Sequence, residues 1–294
     1  MNHQVASDSA GAEPRPRALQ QLVEMALAED RAREDATTDF FKGGPRQWRV
    51  IARQPGVFCG EGVAREVFLQ MGYPFEVVTS VVDGGSFKAG DVLEAYKGDS
   101  RMLSVERVIL NFLQHLTAVS THAARFAEAV KGLPCTVLDT RKTTPGWRHL
   151  EKHAVAVGGC TPHRMDLASA IMVKDNHWDL AKNPHGDDLV SWIGELKGKK
   201  LPLIVEVTSL EDALTAASAQ PDVILLDNFS LPELTQAVKE IRSRFSAKTT
   251  LLEASGGVTL DSVRAIALTG VDRISTGSLT QNPPRVDLSL EMGS

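Results

Sequence analysis

Thr136-Val137-Leu138-Asp139-Thr140-Arg141-Lys142-Thr143-Thr144-Pro145-Gly146 begins as an apolar, β-branched run, turns charged, and meets a Pro-Gly breaker. Ala170-Ile171-Met172-Val173-Lys174-Asp175-Asn176-His177 repeats the pattern: a strand-like run, then a cation at its carboxyl end. Parallel α/β barrels present an active site this way, with charged residues gathered where the strands end on one face. Outward from this pair, the spacing predicts buried strands over 136–139, 170–173, 203–207, 223–226, 249–252 and 273–275. Each is separated from the next by room for a crossover helix, as parallel pairing requires. Six units predict an incomplete barrel rather than a closed eight-stranded one.

Upstream, the periodicity predicts a helix over 19–27, strands over 48–56 and 57–60, a helix over 63–71 and a strand over 91–96, together a small α/β unit. Val105, Val108, Ile109, Phe112, Leu113, Leu116 and Val119 then recur at helical spacing in a segment from Ser104 to about Val130, stopped by Gly132-Leu133-Pro134. The expected organisation is a disordered tail over 1–18, an N-terminal α/β domain with its connecting helix over 19–132, and a barrel over 133–280. A C-terminal segment over 281–294 is expected to pack back on the N-terminal domain.

The chain has 294 residues, 43% of them hydrophobic, which suffices for a full core. A net charge of −5 argues against nucleic acid as a general partner, so any anion site must come from a local cluster. Cys59, Cys135 and Cys160 are odd in number and form no C-x-x-C pair, so neither a disulfide framework nor a zinc site is expected, and a reducing cytoplasm fits. No apolar run approaches the ~18 residues of a membrane span, and residues 1–20 lack the apolar core of a signal peptide.

Arg141, Lys142, Arg164 and Lys174, with His163, predict a cationic pocket for a small polyanion; each Arg is able to grip a carboxylate through two parallel hydrogen bonds. Solvated surface cations paired with Asp139, Asp166 and Asp175 are the plainer alternative. Glu206 and Asp227 end apolar strands, where a lone carboxylate is costly. They suit Mg²⁺, sugar hydroxyls, or, for Glu206, a structural pair with Lys174. Ser255-Gly256-Gly257 and Thr276-Gly277-Ser278 close the last two strands, where barrels hold phosphates with backbone N–H groups. Asp139 and Glu253 are expected at the same mouth. His149 and His153 stand at i and i+4, but in the order His-Leu-Glu-Lys-His, and read as a helix face rather than a metalloprotease motif. Cys160 reads as a small filler. A phosphosugar meeting an anionic partner, with glycosyl transfer at ribose, is the chemistry this set supports. A Schiff-base lysine at Lys174 and a non-catalytic dicarboxylate sensor remain open.

The chain resembles the quinolinate phosphoribosyltransferase family, the carboxylating nicotinate-nucleotide pyrophosphorylases of NAD biosynthesis. The resemblance rests on Glu106-Arg107 with LNFL at 110–113, LDTRKTTPG at 138–146, GGCTPHR at 158–164 and VKDNH at 173–177. It continues through VEV at 205–207, LLDN at 225–228, EASGG at 253–257 and GVDRISTGSLT at 270–280. It departs at Cys160-Thr161-Pro162, in place of the commoner Gly-x-Asn before His-Arg, and at Glu34, where glycine is frequent. The resemblance implies a mixed α/β N-terminal domain plus an incomplete six- to seven-stranded parallel α/β barrel. It implies a homodimer with shared active sites, with further pairing into hexamers left open. By the same resemblance Arg107 reaches the partner's site, and Arg141, Lys142, His163, Arg164 and Lys174 hold quinolinate. Lys142, Lys174, Glu206 and Asp227 act in catalysis, and Glu206 and Asp227 face the ribose and Mg²⁺-diphosphate of phosphoribosyl pyrophosphate, with Mg²⁺ held directly or through diphosphate or water. Ser255, Gly256, Gly257, Thr276, Gly277 and Ser278 take the 5-phosphate. A relative associated with molybdenum transport shares the architecture with a different substrate.

Overall fold

The computed structural model describes residues 17–41, 44–174, 176–178, 180–181, 189–197, 199–245 and 250–293; most of the expected tail, and Asp175, lie outside them. The chain runs α1 (Arg17–Glu29), β1 (Arg46–Ala52), β2 (Gly56–Val57), α2 (Val63–Met71), β3 (Glu76–Ser80), β4 (Ser86–Phe87), β5 (Val92–Gly98) and α3 (Glu106–Ala129). It continues with β6 (Thr136–Leu138), α4 (Arg148–Val157), β7 (Ile171–Val173), α5 (Leu189–Lys197), β8 (Leu203–Val207), α6 (Leu210–Ser218) and β9 (Val223–Asp227). The last elements are α7 (Leu231–Arg244), β10 (Leu251–Ser255), α8 (Val263–Ala267), β11 (Arg273–Ser275), α9 (Ser278–Gln281) and β12 (Leu288–Met292).

The first sheet is antiparallel in the order β12-β1-β5-β3. Four successive residues of β5, Leu93 to Tyr96, are buried, so alternation fails there, and the Phe68 ring of α2 packs edge-on against Tyr96 at 5.2 Å. The expected strand over 48–56 ends at Ala52, and Gly56–Val57 pairs separately with β4. β3 and β12 were not expected. β3 is exposed at every residue, so it carries no burial pattern to read. β12 puts the C-terminal segment beside β1, pairing Trp48 with Met292 through Ala52 with Leu288. Behind this sheet α3 buries Val108, Ile109, Phe112, Leu113 and Leu116 on one face and continues to Ala129, about 36 Å of helix.

The second sheet is wholly parallel, six strands in the order β6-β11-β10-β9-β8-β7. Its central strands carry continuous apolar runs, Leu203-Ile204-Val205 and Val223-Ile224-Leu225-Leu226, because both faces are covered. The crossover helices start at designated caps: Ser209 Oγ accepts the Asp212 N–H at 3.1 Å, and Glu233 accepts the Ser230 N–H at 2.7 Å. The sheet curls into an incomplete barrel. Six strands form, the lower of the two expected counts. Among the described residues β6 and β7 do not pair, and a single parallel bridge, Leu138 to Thr161, stands on the outer edge of β6. The 160–169 segment fills this seam: Thr161 N–H donates to the Val137 carbonyl at 2.9 Å, and Arg164 Nη1 to the Ala170 carbonyl at 3.0 Å. The loop that carries His163 and Arg164 thus takes the place of a missing strand.

Candidate active site

A cavity of about 410 Å³ opens at the carboxyl ends of the parallel strands. Arg141, Lys142, Arg164 and Lys174 line it with His163, Glu206, Asp227, Ser255 and Ser275. The strand direction explains this convergence, since every parallel strand delivers its last residue to the same rim.

The cations are not equivalent. Lys174 Nζ lies 2.5 Å from Glu206 Oε2, a pair across the wall formed by adjacent strands β7 and β8. The Lys174 amine thus already has a carboxylate partner. Arg141, Lys142 and Arg164 make no ion pair among the described residues. Arg141 Nε is buried without a hydrogen-bond partner, an uncommon condition for a strong donor. Burial and the neighbouring Arg141 hold the Arg164 guanidinium below the usual arginine range, so both sites favour an anion.

Asp166, one of the acids considered as a partner for these cations, forms no ion pair with them among the described residues; its Oδ1 caps the N–H groups of Ala168 and Ser169 at 3.0 and 2.9 Å. Asp139 and Glu253 do not reach the mouth either. Both are fully buried and hold the scaffold. Asp139 Oδ1 lies 2.5 Å from Lys152 Nζ and accepts the His163 N–H at 2.7 Å, while Lys152 also donates to the His163 carbonyl at 3.0 Å. Glu253 contacts His163 Nε2 at 3.3 Å and Arg273 Nη2 at 2.8 Å. Burial would raise the Glu253 carboxyl, but His163 and Arg273 outweigh it and hold it below the usual range. The His163 ring is therefore engaged on both sides, since its Nδ1 accepts the Arg164 N–H at 2.7 Å. Glu151, also buried, accepts the Thr144 N–H at 3.1 Å and meets His115 Nε2 at 2.8 Å, bracing the 141–146 loop against α3.

Asp227 follows Leu226 on β9 and pairs in register with Ser255 on β10. Its Oδ2 accepts the Asn228 amide at 2.7 Å. Gly256 packs on that same Asn228: a Cβ there would fall 2.2 Å from Oδ1, and its φ of +97° excludes most side chains. At the other turn, a Cβ on Gly277 would stand 3.0 Å from Lys142 Cδ, so glycine lets the lysine stem lie along the turn. Thr276 Oγ1 donates to the Val258 carbonyl and accepts the Ser278 N–H, both at 3.1 Å. Ser278 Oγ meets His122 Nε2 at 3.2 Å. These two hydroxyls build the turn, whereas Ser255 and Ser275 face the cavity. Gly257 follows with φ +59°.

Arg107 is exposed at the start of α3 and is not among the residues lining its own chain's cavity. Thr140, Met172, Leu225 and Ser275 line the cavity without having been singled out in the sequence. Ser275 alone had a signal, as the last residue of a predicted strand.

Comparison with known proteins agrees with this geometry. Residues 35–117 match the family model for the quinolinate phosphoribosyl transferase N-terminal domain, and residues 119–291 match the model for the C-terminal domain. A nicotinate-nucleotide pyrophosphorylase [carboxylating] of Mycobacterium leprae is 36% identical over 248 residues, 83% of this chain and 85% of that protein. The one of Homo sapiens is 34% identical over 280 residues, 94% of this chain and 92% of that protein. Among solved structures, the nicotinate-nucleotide pyrophosphorylase from Francisella tularensis superposes with a TM-score of 0.85 at 33% identity, covering 94% of this chain and 96% of that one. With both domain models matched in order across most of its length, the chain belongs to the quinolinate phosphoribosyltransferase family.

Proposed function

We propose that this chain transfers the phosphoribosyl group of phosphoribosyl pyrophosphate to quinolinate, with loss of CO₂, giving nicotinate mononucleotide and diphosphate in NAD biosynthesis. The observation that carries the reading is the set of three cations without an ion pair among the described residues, Arg141, Lys142 and Arg164, converging on one cavity with a buried Arg141 Nε that has no hydrogen-bond partner there. A dicarboxylate satisfies two guanidinium groups at once. Ser255, Ser275 and the two glycine turns take the 5-phosphate in the same cavity.

Glu206 and Asp227 offer hard oxygen donors that fit Mg²⁺. When bound, Mg²⁺ neutralises the diphosphate as it leaves. Lys142 adds positive charge at the same rim, beside the Lys174–Glu206 pair. Arg141 and Arg164 hold the quinolinate ring so that its nitrogen meets C1 of the ribose; orienting two reactants in this way supplies about 7 kcal/mol or more. The ring nitrogen, once bonded to C1, is positive and stabilises the electron pair left on the adjacent ring carbon when the carboxylate there departs as CO₂. A proton then takes its place on that carbon.

Arg107, exposed and outside its own chain's cavity, supports a homodimer in which each subunit completes the other's site. Three free cysteines support a reducing, cytoplasmic setting, and no helix among the described residues is long and apolar enough to cross a membrane. The test is mass-spectrometric product analysis with quinolinate, phosphoribosyl pyrophosphate and Mg²⁺, beside a reaction with nicotinate in place of quinolinate. Nicotinate mononucleotide from quinolinate alone, with diphosphate and CO₂, is the expected result. No product from folded protein that binds both substrates would overturn it.

A further inference from the structure

Away from the cavity, three elements bring a thiol, a carboxylate and an imidazole together. Cys59 follows β2, Asp83 lies between β3 and β4, and His153 is on α4, the first crossover helix of the barrel. His153 Nε2 is 2.7 Å from Asp83 Oδ2, Cys59 Sγ is 3.9 Å from the same oxygen, and all three ligand atoms lie within 4.8 Å of one another. We propose that Cys59, Asp83 and His153 form a binding site for a thiophilic divalent cation of the Zn²⁺ class, which ties the N-terminal domain to α4.

The donor set decides the class of ion. A thiolate, an imidazole nitrogen and one carboxylate oxygen suit Zn²⁺ or Co²⁺ and not Mg²⁺, which takes oxygen donors. In a tetrahedral site the ligand atoms stand about 3.3–3.8 Å apart, given metal–ligand bonds of about 2.0–2.3 Å. The present spacings bracket that range, and the half-exposed His153 side chain is free to make the adjustment. The other two ligands are already positioned. Asp83 Oδ1 accepts the N–H groups of Gly60 and Glu61 at 2.8 and 2.9 Å, which leaves Oδ2 pointing at the site. The Cys59 carbonyl accepts the Thr117 hydroxyl at 3.1 Å, anchoring it to α3. Backbone bonds of this sort orient ligands in metal sites. Three protein ligands leave a fourth position for water on the side where His153 meets solvent.

Burial and the adjacent Asp83 carboxylate push the Cys59 thiol far above its ordinary range. A dication between sulfur and carboxylate reverses that, and binding releases the thiol proton to solvent as the S–metal bond forms. The consequence reaches the active site through α4. Glu151 and Lys152, the two residues before His153, brace the 141–146 loop and Asp139. Spacing in the sequence hides the site, since its ligands stand at 59, 83 and 153.

The test is titration of the full, metal-stripped chain with Co²⁺ alone, read by absorbance. One equivalent per chain is expected, with a sulfur-to-cobalt charge-transfer band in the near ultraviolet and visible bands of four-coordinate cobalt. Cys59→Ala should abolish the charge-transfer band, while Cys135→Ala and Cys160→Ala keep it. His153→Gln, an exposed change that leaves the core untouched, should weaken binding at least about tenfold. Excess Mg²⁺ should not displace the ion. Zn²⁺ should raise the melting temperature of the wild type and not that of His153→Gln. No charge-transfer band in the wild type, a band that survives Cys59→Ala, or unchanged affinity in His153→Gln would overturn the proposal.

Discussion

Lys152 Nζ sits 2.5 Å from Asp139 Oδ1, and the two side chains are 1% and 0% exposed. This pair lies beneath the cavity and fixes the backbone of His163 from both sides, through the Asp139 carboxylate and the Lys152 ammonium. Removing one charge leaves the other buried alone, a change that costs about 3–5 kcal/mol. Lys152→Met should therefore lower stability by about that amount, and Lys152→Met with Asp139→Asn should recover part of it, because asparagine keeps an acceptor for the His163 N–H without the charge. Urea unfolding checks both; a wild-type midpoint for the single variant would contradict the assignment.

Arg141→Ala should remove quinolinate binding and spare phosphoribosyl pyrophosphate binding. Losing one partner of a desolvated charge pair costs about 2–5 kcal/mol, enough to take quinolinate out of a calorimetric titration. Unchanged quinolinate affinity would place the dicarboxylate elsewhere.

Arg107→Ala and Arg141→Ala should each be inactive alone, yet regain activity when mixed. A hybrid dimer then contains one site with both arginines intact. Subunit exchange is followed by native mass spectrometry, and exchange without recovered activity would count against the shared site.

Glu94 on β5 is fully buried, and burial pushes its carboxyl up to about 7, only partly offset by the Tyr96 and Ser80 hydroxyls. Its proton is kept on folding but lost on unfolding between about pH 4.5 and pH 7. Stability from this group therefore falls as pH rises through that window and levels off above it. At pH 8 Glu94→Gln should be more stable than wild type by up to about 3 kcal/mol, and at pH 4.5 the two should be nearly equal. Thermal unfolding across pH reads the difference; a constant offset would show that Glu94 does not carry the dependence.

Much of the site was legible because it is local. A cation or acid at the end of an apolar run marks a strand's carboxyl end, and parallel strands send those ends to one rim, so Arg141, Lys174, Glu206 and Asp227 were placed together by pattern. The same reasoning misplaced Asp139 and Glu253. Position along a strand gives the end of the barrel, but whether a side chain faces the mouth or turns inward depends on partners such as Lys152, His163 and Arg273, which only the fold supplies.

The sequence by itself determined the six parallel strands, the long helix α3 and the identity of the cationic set, because each is written in periodicity or in contiguous motif. Tertiary structure alone decided four things. It set the His163–Arg164 segment in the seam beside β6. It paired Lys174 with Glu206. It added β3, exposed at every residue and defined by backbone pairing alone, and it paired the short alternating segment Leu288–Met292 with β1. It gathered Cys59, Asp83 and His153 at one point. The physical reason is common to all four: burial leaves a periodic trace along the chain, whereas contacts between distant segments leave none.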